Sequence, residues 1–352
     1  MKILLCGGGT AGHAWPVILV AEALSKNKRN QVLYVGSAKI EKELSQKSGI
    51  TFKRIIAGKK RAYSSILNIF DVFKTGLGIL QSYFLFLFFR PAVIFAKGGY
   101  VTVPVIFWAK FFKVPLVIHE SDSVMGQANL WAAPRAKKIC LGFPVKYYAN
   151  LTVPLERLIY TGIPIKTDFY QTPVKTGETK KLLITGGSQG SRRINKVISE
   201  ILPKLIEKYE VWHLSGEGDY EELSQFKHPS YHLFDFSYEM SKLVRDADLV
   251  VTRAGASTLA EISAAKKAAI IIPLPESANN HQTKNAKVYT DLNAAIVCSE
   301  AGLTASSLES IINDLMADDS LRDLLGHHAA ALARPQAVAE IVDAIFEATY
   351  EK

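Results

Sequence analysis

The sequence has little cysteine. Its three, Cys6, Cys140 and Cys298, stand far apart with no Cys-x-x-Cys pair, which excludes a disulfide framework and a cysteine-rich zinc site and fits a reducing compartment. Long uncharged apolar runs are scarce too. The N-terminal MKILLC is too short for a signal peptide, so no export is expected. The most apolar stretch, Ile66–Phe89, is interrupted by Asp71 and Lys74. Its uncharged part, Thr75–Phe89, falls short of the ~20 residues that span a bilayer as a helix. The histidines show no ligand spacing with acids or cysteines, so no metal is expected. Asp246 and Asp248 spell D-x-D but precede a strand, and a solvated pair at a helix end is expected of them. No low-complexity tract or short-period repeat is present.

Acid is missing from one block. Between Leu44 and His119 eleven Lys or Arg face a single acid, Asp71. The rest of the chain is close to neutral, so the net charge of +9 is local, a footprint for an anionic partner. The same block holds Phe70, Phe73, Tyr83, Phe84, Phe86, Phe88 and Phe89. Two readings stay open for it: a buried core helix, or an interfacial element dipping into an anionic membrane surface. For the second, the candidate contacts are Lys59, Lys60, Arg61, Phe70, Phe73, Lys74 and Phe84. No recognised nucleic-acid module accompanies the charge, and no nucleic-acid partner is expected.

With 352 residues, 48% of them hydrophobic and 21% charged, the chain is globular and too long for one core. Apolar runs alternate with amphipathic ones. KILLCG, QVLYVG, AVIFAKGG, PLVIHES and KICLGF predict strands in the first half; KLLITGG, YEVWHLSG, YHLFDF, ADLVVTRAG, KAAIIIPLP and AAIVCSE predict them in the second. Trp15–Asn27, Gln127–Ala136 and Arg193–Lys208 are among the predicted helices, and a last helix runs from after Pro335 to about Tyr350. Continuously apolar strands alternating with helices mean parallel sheets. The fold class is α/β, two Rossmann-like doubly wound domains, divided near Tyr160–Lys166.

Each half opens with a strand, a glycine-rich turn and a helix: LLCGGGTAGH at Leu4–His13 and LLITGGSQGSRR at Leu182–Arg193. A third such turn is AKGGYVTVP at Ala96–Pro104. Gly7, Gly9 and Gly12 fit G-x-G-x-x-G, a spacing that lets a backbone approach a pyrophosphate at a helix N-terminus. A nicotinamide dinucleotide also needs an acid at the end of the second strand. There QVLYVG ends in Ser37 and Ala38, and the first acid is Glu41, inside the next helix. Neither domain-opening loop carries the lysine and Ser/Thr of a P-loop. A long ligand with two phosphates, bound without cofactor, fits best.

Six blocks, GGGTAGH, KGGYVTVP, HESDSVMGQAN, GGSQGSRRIN, TRAGASTLAEI and NHQTKNA, resemble in order and spacing the MurG family of bacterial UDP-N-acetylglucosamine transferases, glycosyltransferase family 28. The resemblance spans nearly the whole chain. It implies a GT-B fold with the donor in a cleft between domains. The domains would be 1–163 with the C-terminal helix 336–352 on the acceptor and membrane side, and 164–335 binding the UDP-sugar. It implies inverting transfer of N-acetylglucosamine to undecaprenyl-linked lipid I, by a peripheral enzyme at the cytoplasmic face of the plasma membrane. Alternatives are a transferase for another lipid such as a diacylglycerol, a UDP-N-acetylglucosamine epimerase, and a non-catalytic nucleotide-sensing module.

Carried over residue by residue, the resemblance puts Thr10, Ala11, Gly12, Asp122, Lys166, Ser188, Gln189, Ser237, Ala256, Ser257, Thr258, Leu259, Ala260, Glu261 and Gln282 at the donor. Gly98, Gly99, Tyr100, His119 and Asn129 fall on the acceptor side. Chemically, Ser188 and Gln189 suit the α-phosphate, and Glu261 can accept from both ribose hydroxyls or simply be a solvated acid at a helix start. Gln282 and Asn285 carry amides suited to sugar hydroxyls or to loop capping. His13 is the first candidate base, since its ordinary pKa is near neutral; orienting pyrophosphate and capping are its other roles. Asp122 is the alternative base. His119 ends a strand at the ligand edge and has a structural role open to it as well. Three positions depart from the family pattern: Ala11 for a glycine, Asp122 for an asparagine, and Lys166 for an arginine, a point charge in place of a bidentate fork.

Overall fold

The computed structural model describes residues 1–8, 11–58, 67–148, 151–172, 178–187 and 189–350. They form two compact units, Met1–Ile165 with Gln336–Lys352, and Lys166–Pro335.

In the first unit seven parallel strands lie in the order β3-β2-β1-β4-β5-β6-β7. They are β1 (Lys2–Cys6), β2 (Gln31–Gly36), β3 (Thr51–Arg54), β4 (Val93–Ala96), β5 (Leu116–Glu120), β6 (Lys138–Leu141) and β7 (Leu158–Tyr160). Its helices are α1 (Ala11–Ser25), α2 (Lys39–Lys47), α3 (Leu67–Phe89), α4 (Thr102–Phe111) and α5 (Gln127–Ala132). The central strands are apolar on both faces because helices cover both; Ile3, Leu4, Leu5, Val93, Ile94 and Phe95 are fully buried. Two elements differ from the sequence reading at the edges, where β3, which is largely polar, and β7, only three residues long, both pair. The helix expected from Trp15 begins at Ala11 and stops at Ser25, and that expected over Gln127–Ala136 breaks after Ala132 into a short turn of 3-10 helix.

The second unit repeats the plan with six parallel strands in the order β10-β9-β8-β11-β12-β13. These are β8 (Lys181–Thr185), β9 (Glu210–Leu214), β10 (Tyr231–Phe234), β11 (Leu249–Thr252), β12 (Ala268–Ile271) and β13 (Ile296–Val297). Around them stand α6 (Arg192–Ile206), α7 (Glu217–Leu223), α8 (Met240–Asp246), α9 (Ala256–Ala264), α10 (His281–Asp291), α11 (Ala305–Ala317) and α12 (Asp319–Ala330). On α6, Ile194, Val197, Ile198, Ile201, Leu202 and Leu205 fall on one face at helical spacing and fill the core. Asp248 is not the solvated acid expected. Its Oδ2 accepts from the Lys181 backbone N–H at 2.7 Å, fastening the start of β8 to β11.

The chain then returns to the first unit as α13 (Ala337–Tyr350), whose Ile341, Ala344, Ile345 and Ala348 join one core with Val17, Ala21 and Leu24 of α1. Lys138 Nζ lies 3.1 Å from Glu347 Oε2 on the same helix.

Helix α3 carries most of the apolar block, packed on one side and exposed on the other. Its 23 residues make it roughly 34 Å long. By length and composition Asp71–Phe89 could cross a membrane, a length that the uncharged run alone understates. One side packs: Leu85 and Phe86 are buried, the Tyr83 ring meets Trp108 of α4 at 4.9 Å, and the Phe86 ring meets Phe112 just after α4 at 5.2 Å. The other side presents Phe73, Leu77, Leu80, Phe84 and Phe88 to solvent at i, i+4, i+7, i+11 and i+15; Phe73 is 70% and Phe88 79% exposed. Lys74 is exposed and pairs with Asp71 at 3.4 Å. Lys59, Lys60, Arg61 and the Phe70 side chain lie outside the described residues.

Candidate active site

In a parallel sheet every strand delivers the chain to the same edge, and ligands bind where the strand order reverses. In the first unit that point lies between β1 and β4, in the second between β8 and β11. The glycine turns follow those same four strands.

In the first unit, Gly7 and Gly8 leave β1 while Gly98 and Gly99 leave β4, all four with positive φ. The turns abut so closely that a Cβ on Gly99 would stand 2.9 Å from the Gly8 carbonyl oxygen. A Cβ on Gly8 would overlap the Glu41 carboxylate, and one on Gly7 would meet Lys97 Cβ. Glu41, inside α2 as read from the sequence, is fully buried. It accepts from the N–H groups of Ser37 and Ala38 at 2.7 and 3.0 Å, which closes the end of β2. Tyr34 donates to the Gly7 carbonyl at 2.9 Å. The backbone of Gly12 and His13 belongs to the first turn of α1; Thr10 and the side chains of Ala11 and His13 lie outside the described residues.

Beside these turns the end of β5 forms a dense polar cluster. Glu120 accepts from the N–H of Asp122 at 3.0 Å, from that of Gly126 at 2.8 Å and from Asn129 Nδ2 at 2.9 Å. Burial and the neighbouring Asp122 carboxylate push its pKa up to about 7. Asn129 Nδ2 also donates to the His119 carbonyl at 3.0 Å, and Tyr148 donates to the Asp122 carbonyl at 2.6 Å. Asp122 is half-buried. His119 lies inside the domain, with Nε2 2.9 Å from the Gly162 carbonyl oxygen. Tyr100 is half-buried, its hydroxyl accepting from Ser37 Oγ at 3.4 Å.

In the second unit the turn Gly186–Ser191 leaves β8. Gly187 and Gly190 have φ of +82° and +73°, Gln189 is exposed, and Ser188 lies outside the described residues. Ser191 caps α6, accepting from the Ile194 N–H at 3.4 Å. Buried Arg253, which the sequence reading did not single out, donates from Nε to Ser191 Oγ at 3.0 Å and from Nη1 to the Ile272 carbonyl at 3.1 Å, and it pairs with Glu300. It thereby ties the two switch-point turns together. A cation directly after an apolar strand is the signal that could have marked it.

Helix α9 starts at Ala256 behind Gly255, which supplies no side-chain cap. Ser257, Thr258 and Ala260 are half-buried, whereas the Leu259 side chain is fully inside, so only its backbone could meet a ligand. Glu261 is not a solvated acid at a helix start. It stands in the second turn of α9, where burial pushes its pKa up to about 8 while Lys166 pulls the other way. Gln282 Oε1 accepts from the N–H groups of Ala254 and Leu274 at 3.3 and 3.0 Å, and Asn285 Nδ2 donates to the Ala254 carbonyl at 3.1 Å. Both amides therefore hold the turn after β11. Gln282 Nε2 donates to no described residue. Ser237 Oγ accepts from the Glu239 N–H at 3.1 Å in the loop after β10.

Two doubly wound parallel sheets, each with glycine turns at its switch point, are the architecture of the GT-B class. The glycosyltransferase family 28 N-terminal domain matches residues 3–141 and the C-terminal domain of that family residues 181–340. The chain belongs to glycosyltransferase family 28. It is 36% identical over 325 residues to a protein of Lachnoclostridium phytofermentans named UDP-N-acetylglucosamine–N-acetylmuramyl-(pentapeptide) pyrophosphoryl-undecaprenol N-acetylglucosamine transferase, covering 89% of this chain and 90% of that one. A protein of the same name from Geobacter metallireducens is 34% identical, covering 97% of both chains. Among solved structures, MurG of Acinetobacter baumannii superposes with a TM-score of 0.76 at 25% identity, over 98% of this chain and 99% of that one.

Proposed function

We propose that the chain transfers N-acetylglucosamine from UDP-N-acetylglucosamine to the muramyl C4 hydroxyl of undecaprenyl-linked lipid I, with inversion, giving lipid II. The observation that carries the reading is that near-full-length relatives at 34–37% identity are named for this transfer. An epimerase is not favoured: the UDP-N-acetylglucosamine 2-epimerase of Neisseria meningitidis shares the fold at 13% identity. In this reading the second domain takes the donor. Backbone N–H groups around Ser188 and Gln189 and at the start of α9 face the pyrophosphate, Glu261 takes the ribose, and Gln282 the sugar. The first domain takes the acceptor beside Gly98, Gly99 and Tyr100. A base removes the acceptor proton, the freed oxygen attacks the anomeric carbon from the face opposite UDP, and the bond to the β-phosphate breaks. His13 and Asp122 are the candidates for that base. The test is UDP release from UDP-N-acetylglucosamine with and without a lipid I analogue. Release only with the analogue is expected. Isomerised donor without acceptor, or preference for a diacylglycerol, would overturn the assignment.

The exposed stripe of α3 and the surrounding basic block support peripheral association with an anionic membrane at the cytoplasmic face. Each Lys or Arg near such a surface contributes about 1 kcal/mol, screened by salt, and exposed aromatics add about 25 cal/mol per Å² buried. Flotation with phosphatidylglycerol vesicles is expected to weaken with salt without vanishing. Phe73→Ser with Phe88→Ser is expected to remove the salt-resistant remainder. Equal flotation of variant and parent at high salt would rule the stripe out.

A further inference from the structure

Lys97 is the one lysine of the basic block that the fold hides among the described residues. It follows β4 directly, sits beneath the Gly98–Gly99 turn and is 2% exposed. Its stem fills the space a Cβ on Gly7 would need, and its ammonium donates to Ser121 Oγ. A lysine is rarely buried unless paired. Here the charges beside it are Glu120 and Asp122, themselves neighbours at the end of β5.

Two carboxylates at such range repel and disfavour ionisation. Glu120 is the natural turn-forming acid, since its oxygens hold three N–H donors between Asp122 and Asn129. Asp122 is the additional one, standing where the family pattern has a neutral asparagine. Lys97, directly after the adjacent strand β4, brings a positive charge to the same edge. We infer that Lys97 is a positioning residue for sugar transfer: through Ser121 it holds the turn that presents Asp122, and its charge lets the Glu120 and Asp122 carboxylates share one end of β5. The inference rests on the proposed transfer, in which Asp122 touches the reacting sugars. Among the described residues, the other titratable groups around the cluster include His119 on β5, the Tyr148 hydroxyl, and, behind the Gly7–Gly8 turn, Tyr34 and Glu41. Burial draws the Lys97 pKa down to about 8, against the pull of Glu120 and Asp122, so its charge thins in the alkaline range.

The experiment is a cycle of Lys97→Met, Asp122→Asn and the double variant in the full chain, read by thermal midpoint and by the pH dependence of kcat. Lys97→Met alone should lower the midpoint by several degrees, and most of that loss should disappear in the Asp122→Asn background. In the transfer assay it should lower kcat about tenfold or more with donor KM unchanged. The acidic limb of the kcat profile should move up by about one pH unit. Should Lys97→Met not fold, recovery of soluble double variant supports the inference and absence of recovery overturns it. An equal midpoint loss in both backgrounds, or an unmoved pH profile, would make Lys97 a packing residue. The midpoint cycle needs no turnover, so a parent protein inactive with lipid I would sink the transfer reading and leave this test standing.

Discussion

Gly190→Val should leave a protein that no longer retains UDP-N-acetylglucosamine. Gly190 has a φ of +73°, a region that costs an ordinary residue about 1–2 kcal/mol and a β-branched one more. Its Cβ would also lie 2.0 Å from the Ser215 carbonyl oxygen and 2.8 Å from the carbonyl carbon. That carbonyl cannot retreat: it accepts from Asn195 Nδ2 at 2.9 Å, and the Ser215 N–H donates to the Phe234 carbonyl at 3.0 Å. The turn after β8 must therefore move, taking with it the N–H groups proposed to face the pyrophosphate. A loss of roughly 3 kcal/mol of stability or more is expected, together with donor affinity reduced beyond a hundredfold. Calorimetric unfolding and donor titration check both. A folded variant with normal donor affinity would remove this turn from the site.

Glu261 carries the second large effect. In Glu261→Ala the ribose hydroxyls proposed to bind Glu261 would lose their acceptor, which should cost roughly 1–3 kcal/mol of donor binding, about fivefold to more than a hundredfold in KM. An unchanged KM would take Glu261 out of the site. Its ionisation adds a signature. Burial raises the folded carboxyl to about 8, above its value of about 4.5 in an unfolded chain, so the charged form is the costly one. The wild type therefore loses stability as pH climbs from about 4.5 through 8, while Glu261→Gln is spared. The variant's thermal midpoint should equal the parent's near pH 4.5 and exceed it above pH 8. Donor binding that recruits the carboxylate near pH 7 should release a proton, measurable by titration calorimetry in buffers of different ionisation enthalpy.

The central strands were legible because burial on both faces leaves runs such as ILLC and AVIFA with no polar residue to mislead. The edge strands were not: TFKR at Thr51–Arg54 is polar and faces solvent, and LIY at Leu158–Tyr160 is three residues long. The glycine turns could be read because positive φ and close approach leave few other residues possible. The states of the charged groups could not. Whether a lysine is hidden, as Lys97 is, or a glutamate is half-buried with its pKa raised, as Glu261 is, depends on what other segments bring against it. Gln282 shows the same limit: its amide type fits a sugar hydroxyl and a backbone N–H equally, and only the fold places Ala254 and Leu274 on its oxygen.

The return of α13 to the first domain has a consequence for biosynthesis. Synthesis proceeds from the N-terminus, so the ribosome releases β1 to β7 long before the helix that covers α1. The second domain is contiguous in sequence and can complete itself as it emerges. The domain begun first is thus the one finished last. Until Ile341 and Ile345 arrive, the flank of α1 that they cover stays open to water, and a nascent chain halted near Pro335 would carry one completed domain and one whose core is still uncovered at α1.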